Sequence, residues 1–253
     1  MKNSLFITLF FAMILPAHAH FQELVPSTDI VTVQGDRDLS IELVWGHPME
    51  NVSMEMAKPT QFGVQVDGSK QDLLETLEPQ TVKDHQAWKA QYTVKRPGDH
   101  IFYVEPAPYW EPAEGVMIIH NTKVVVSAMG RESGWDEEVG LAAEIVPEVR
   151  PYGLWTGNLF QGMVLKGGKP VPGAEVEVEY LNTDGAVEIP SDPFVTQVIK
   201  ADDRGVFSYS IPREGWWGFA ALLEGDEKID NPEGEKVDVE LGALIWIHAV
   251  DMK

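Results

Sequence analysis

Apolar residues in this chain come in short runs cut by turn signals, and that pattern constrains the fold more than any other feature. In the first half the runs are 30–33, 39–45, 62–66, 88–94, 100–104 and 116–126. Gln34-Gly35-Asp36, Val66-Asp67-Gly68-Ser69 and Arg96-Pro97-Gly98-Asp99 separate several of them. Closely spaced runs with such punctuation predict an antiparallel sandwich. Residues 71–78 read as a short helical or irregular insert. The stretch 105–112 carries Pro106, Pro108 and Pro112, which withdraw ladder donors, so it reads as an ordered aromatic loop. Residues 131–157 show few strand signals and read as a connector packed on the first domain.

The second half begins near Asn158. Runs at 160–165, 174–180, 196–200, 206–211, 217–223 and 236–248 predict further strands, and 174–180 alternates valine with Glu175, Glu177 and Glu179. The acidic turn Ala201-Asp202-Asp203-Arg204-Gly205 has too few alternating oxygen ligands for a calcium loop. The expected fold is all-β, with two antiparallel β-sandwich domains of Ig-like or transthyretin-like type at 20–157 and 158–253. They follow a leader at 1–19. Lys2, the apolar run 5–15, Pro16 and Ala17-His18-Ala19 form the charged start, apolar centre and small-residue exit of a secretory signal peptide. The run is shorter than the roughly 20 residues a membrane span needs. The expected location of the mature protein is therefore the periplasm.

Composition narrows the chemistry. The chain has no cysteine, which removes disulfides, thiolate metal sites and cysteine nucleophiles. Its 40 acidic and 19 basic residues give a net charge of −21, which argues against a nucleic-acid partner and suits a cation. There is no G-x-S-x-G, H-E-x-x-H, Walker or dinucleotide-binding signature, so no enzyme activity is expected.

The histidines carry the functional reading. Cleavage after Ala19 would make His20 the N-terminus, presenting an α-amine and an imidazole on one residue. Their ordinary pKa values are about 7.7–8.0 and 6.5, so both can be neutral near pH 7.5 and can chelate a transition metal together. His47 stands between Gly46 and Pro48 at a strand end, and His120 lies in a strand with Ile118 and Thr122 on its face. Imidazole suits nickel, cobalt, copper or zinc. His100 and His248 are further candidates, while His85 reads as an exposed turn. No two mature histidines form a local pair, so any site must be assembled by tertiary structure. Met49, Met54 and Met56, close to His47 in sequence, favour packing but also suit copper(I). Trp216 and Trp217, and Tyr109 and Trp110, read as core or seam aromatics that could also stack on a sugar.

The motifs His20-Phe21-Gln22-Glu23-Leu24-Val25-Pro26-Ser27, Trp45-Gly46-His47-Pro48, Gly98-Asp99-His100-Ile101-Phe102-Tyr103 and the run from Tyr109-Trp110-Glu111-Pro112 to Ile119-His120-Asn121-Thr122-Lys123 belong together. With Gly167-Gly168-Lys169-Pro170 and Asp203-Arg204-Gly205-Val206-Phe207, they resemble an exported bacterial family of periplasmic nickel and cobalt uptake components, long carried as a domain of unknown function. The second half also resembles the carboxypeptidase-regulatory or transthyretin-like sandwich. The resemblance implies an extracytoplasmic protein that handles Ni2+ or Co2+, with delivery to a membrane transporter as the functional step. The expected ligands are the His20 amine and imidazole with the His47 and His120 imidazoles, and Cu2+ and Zn2+ are other possible cargo. A histidine-brace copper protein and a structural or glycan-binding module are the alternative readings.

Overall fold

The computed structural model describes residues 20–253; the stretch 1–19, expected to be a leader, lies outside the described residues. Strands dominate, and the helical pieces among the described residues are two 3-10 turns, Leu74–Thr76 and Asp192–Phe194. The first of these is the predicted irregular insert. No helix among them is long and apolar enough to cross a membrane.

A 5-stranded sheet contains Phe21–Pro26, Asp38–His47, His85–Thr93 and Glu78–Val82 in that order, with Val52–Met54 paired to Asp38–His47. A 4-stranded sheet contains Ala143–Pro147, Leu159–Lys166 and Lys169–Pro170, with Val206–Ser210 also on Leu159–Lys166. Between them runs an 11-stranded sheet that draws on both halves of the chain. Its centre is a parallel pair, Val116–Ala128 beside Val239–Val250, in register from Met117↔Val239 to Val124↔Trp246. Parallel neighbours need a long crossover, which the intervening chain supplies. The expectation of purely antiparallel pairing fails at this seam.

Period two explains how one sheet serves two cores. Along Val239–Val250, Leu244 and Trp246 enter the first core, whereas Leu241, Ala243, Ile245 and Ile247 enter the second. The 5-stranded sheet supplies Leu39, Ile41, Leu43 and Trp45 to the first core; the 4-stranded sheet supplies Ile145, Phe160, Val164 and Phe207 to the second. A strand covered on both faces reads as a continuous apolar run, which is how 241–247 reads.

The stretch read as a connector carries strands. Ala143–Pro147 pairs with Leu159–Lys166, and Leu154–Trp155 pairs with Val239–Val250. Val139, Leu141 and Tyr152 cover Ile101, Tyr103 and Val125 in a third, smaller core. Lys123, 1% exposed, reaches Glu144, 2% exposed, at 2.8 Å. Glu144 also accepts from the backbone N–H groups of Val139 and Gly140, so its charge is fully engaged.

Candidate functional site

Asp38–His47 brings its inward face, Leu43, Trp45 and then His47, to the rim of the first core. Gly46 permits the tight return into Val52–Met54, because a Cβ there would stand 2.0 Å from the Val52 carbonyl oxygen. Phe21–Pro26 pairs with this strand through Phe21↔Gly46. Continuing that register by one residue sets His20 opposite His47, and directly opposed residues project to the same face. Their rings lie 4.8 Å apart and nearly perpendicular. Trp45 stacks on His20 at 5.7 Å.

His120 comes from the facing sheet, fully buried, with its ring 5.3 Å from Trp45. Its register partner across the parallel seam is Gly242. A Cβ at 242 would lie 2.3 Å from His120 Cδ2, so the missing side chain is the space the imidazole occupies. Tyr109 closes the group at 5.6 Å from His20 and 5.4 Å from Trp45. It belongs to Tyr109–Glu111, a short strand on Val116–Ala128, so the stretch read as a loop is partly paired.

Each of the three imidazoles faces a glutamate. His20 Nε2 lies 3.1 Å from Glu111, His47 Nδ1 3.1 Å from Glu50, and His120 Nε2 2.8 Å from Glu240. An ionised carboxylate only accepts, so His120 Nε2 carries the proton and donates it to Glu240. That assignment leaves Nδ1 with the lone pair, and His120 Nδ1 is a buried atom without a hydrogen-bond partner. For His20 the contact engages Nε2, leaving Nδ1 on the other side of the ring. Carboxylates that hold one imidazole nitrogen and orient the other are the usual outer layer of histidine metal sites. Among the described residues, no group of three or more His, Asp or Glu side chains is already closed enough to hold a metal ion.

Burial, with His47 as the next cause, pushes the His20 imidazole down to about 4, even though Glu111 opposes the shift. Its lone pair therefore stays unprotonated across the mildly acidic range. Burial favours the neutral form of Glu240, but the interaction with His120, its hydrogen bond foremost, outweighs it and holds the carboxyl below its ordinary value. The ionised state needed to orient His120 is thereby stabilised.

The other histidines lie elsewhere. His100 is fully buried, its Nδ1 3.0 Å from the Gly98 carbonyl, in contact with Tyr92. His248 packs on Trp216 and lies 3.6 Å from Asp29, at the seam between the halves. His85 is exposed, as predicted, but opens the strand His85–Thr93. Trp217 fills the second core. Met56 is buried in the first core, while the backbone of Met49 is held by Glu179. Glu50, Glu111 and Glu240 do not stand out in the sequence, because glutamates are too numerous there for any one to be conspicuous. An acidic residue three after His47 was the available signal for Glu50.

Fold and site together define an all-β protein of immunoglobulin-like sandwich type, with a histidine–carboxylate cluster at the rim of its first core. The chain belongs to the family described as domain of unknown function DUF4198, whose pattern matches residues 17–225. No curated protein matches it. Similar solved structures include an ICAM-5 ectodomain fragment (11% identity, 90% of this chain and 47% of that one, TM-score 0.26). Others are a Bacteroides ovatus mixed-linkage glucan utilization protein in complex with a heptasaccharide (10%, 91% and 45%, 0.19) and trypsin-activated alpha-2-macroglobulin from Escherichia coli (11%, 92% and 16%, 0.24). The chain spans less than half the length of each of these three. Likeness at that level carries no argument about what this chain does.

Proposed function

We propose that this protein binds a divalent transition metal, nickel or cobalt by family resemblance, outside the cytoplasm and passes it to a membrane transporter without acting as an enzyme. His20, His47 and His120 are the ligands, and cleavage after Ala19 adds the His20 amine. The observation that carries this reading is the convergence of three histidines from distant parts of the sequence, each with a glutamate on one ring nitrogen. His120 Nδ1, buried without a hydrogen-bond partner, carries a lone pair that a metal ion would engage. Neutral nitrogen ligands bind at neutral pH and release on acidification, because protons compete for the same lone pairs. A net charge of −21 raises the local concentration of cations modestly.

Calorimetric titration of protein beginning at His20 with nickel, cobalt, copper and zinc tests the reading. It is run beside a variant with one extra residue ahead of His20. The expected result is stoichiometric binding that weakens at least tenfold in the extended variant. Equal binding by both forms refutes the role of the amine, and no binding by either refutes the metal reading. Copper exceeds nickel in intrinsic affinity for nitrogen ligands, so the order among metals is the second readout.

A further inference from the structure

Beside the histidine cluster runs an aromatic groove that the metal reading leaves without a role. Its volume is about 490 Å³, within the range of small-molecule sites, and Trp45, Trp88, Tyr109 and Trp110 line it together with Gln22 and Gln86. Trp88, Tyr109 and Trp110 are only partly buried, so the groove presents aromatic surface to solvent.

Two of the lining residues have unmet hydrogen bonds. Gln22 is fully buried and its Oε1 accepts from no group; Trp45 is 3% exposed and its indole N–H donates to none. They are direct register partners across the Phe21–Pro26 and Asp38–His47 pair, so the two needs arise side by side. By contrast, Trp88 Nε1 donates to the Met56 carbonyl, and Gln22 Nε2 donates to the Val44 carbonyl. A buried acceptor and a buried donor left unmet are costly unless something else satisfies them.

The opposite roles of these two atoms select the chemistry of an occupant. A carboxylate accepts but does not donate, an ammonium donates but does not accept, and a hydroxyl does both. Local charge narrows the class further. Lys58, the cation among the lining residues, is already paired with Glu75 at 3.0 Å, and Glu55 also lines the groove. An anionic ligand would meet a carboxylate there and no free cation.

We propose that this groove binds a short neutral saccharide, whose hydroxyls accept from the Trp45 indole N–H and donate to Gln22 Oε1. The apolar C–H face of a sugar ring packs on the aromatic walls while its hydroxyls address the two polar groups. A peptide amide also carries a donor and an acceptor, but a peptide added to a sheet pairs along a strand edge. Gln22 and Trp45 instead offer side chains from two strands already bonded to each other. Nothing in this binding requires a metal, although Trp45 and Tyr109 also pack on His20.

The test is calorimetric titration of the protein beginning at His20, in EDTA so that no metal takes part, with cellopentaose, maltopentaose, xylopentaose and chitopentaose. Tryptophan fluorescence is followed in parallel. The expected result is saturable binding of at least one of the four at millimolar concentration, with a change in tryptophan emission. Trp110→Ala, at a partly exposed wall, should weaken it about three- to tenfold by removing a stacking face. Trp45→Phe keeps a ring but removes the indole N–H, and should weaken it about three- to tenfold. Thermal melting shows that each variant is folded, and Trp110→Ala alone decides the matter if Trp45→Phe is not. Pentagalacturonate, an anionic control, should bind about tenfold more weakly than the best neutral sugar. No binding of any of the four sugars, binding that Trp110→Ala leaves unchanged, or tighter binding of an alanine–proline decapeptide overturns the proposal and leaves the metal reading untouched.

Discussion

Replacing Gly242 by alanine is the sharpest probe of the site, because it reaches His120 from the other half of the chain. The added Cβ would stand 2.3 Å from His120 Cδ2, 2.7 Å from Cγ and 2.9 Å from Nε2. Real Cβ atoms do not approach so closely, so the imidazole must leave its place against Glu240. The ring is fully buried, with the Trp45 ring 5.3 Å away. Overpacking of a filled interior costs about 1–3 kcal/mol. Loss of the Glu240 contact, which orients the ligand, should lower metal affinity about 10- to 100-fold. Urea unfolding of metal-free protein reads the first quantity, and calorimetric titration reads the second. A double-mutant cycle with His120→Ala isolates the cause. Without the imidazole the clash disappears, and Gly242→Ala should become neutral or stabilising by about 0.5 kcal/mol, since alanine costs less backbone entropy than glycine. An equal penalty in both backgrounds would show that the glycine serves the seam's backbone and not the histidine.

Three further outcomes follow from the same geometry. Glu240→Ala should reduce metal affinity about 10- to 100-fold while leaving the metal-free protein folded, as titration and thermal melting together would reveal; unchanged affinity would discard the orienting role. Lys123→Met strands the buried Glu144 carboxylate with two N–H donors and no cation, and should destabilise by about 3–5 kcal/mol in chemical denaturation. Burial raises Glu179 to about 8, opposed by the hydrogen bonds from Thr196 and the Met49 backbone and aided, less strongly, by Glu177 and Glu50. An acid raised on folding gives stability that is complete below its unfolded pKa of about 4.5 and is lost as pH climbs toward 8. Glu179→Gln should therefore flatten the pH dependence of stability across that window and gain up to a few kcal/mol at pH 8; an unaltered slope would show that the carboxyl ionises freely.

Much of the fold is legible in the sequence. The runs at 39–45, 62–66, 100–104, 116–126 and 217–223 are strands because β-branched and aromatic residues at period two can bury one face. Other elements escape such reading. Phe21–Pro26 ends in proline and mixes Gln22 and Glu23 into its pattern, so its pairing depends on the waiting edge of Asp38–His47. Ala143–Pro147 has a buried glutamate, Glu144, whose placement makes sense only once Lys123 lies across from it. Tyr109–Glu111 is short enough to pair between prolines.

For the site, the residue types speak first. Three histidines with imidazole chemistry stand at a predicted mature terminus, a strand end and a strand face, and each local environment follows from neighbours in sequence. Their meeting does not. The juxtaposition of His20 and His47 depends on a strand register that no turn fixes, because Phe21–Pro26 and Asp38–His47 are joined by more than a tight hairpin. His120 joins them only because two sheets pack face to face, and it fits only because a parallel partner from the far end of the chain offers Gly242. Periodicity is a local property and is written along the chain, whereas register between distant strands and the space left by a missing side chain exist only after the sheets have closed.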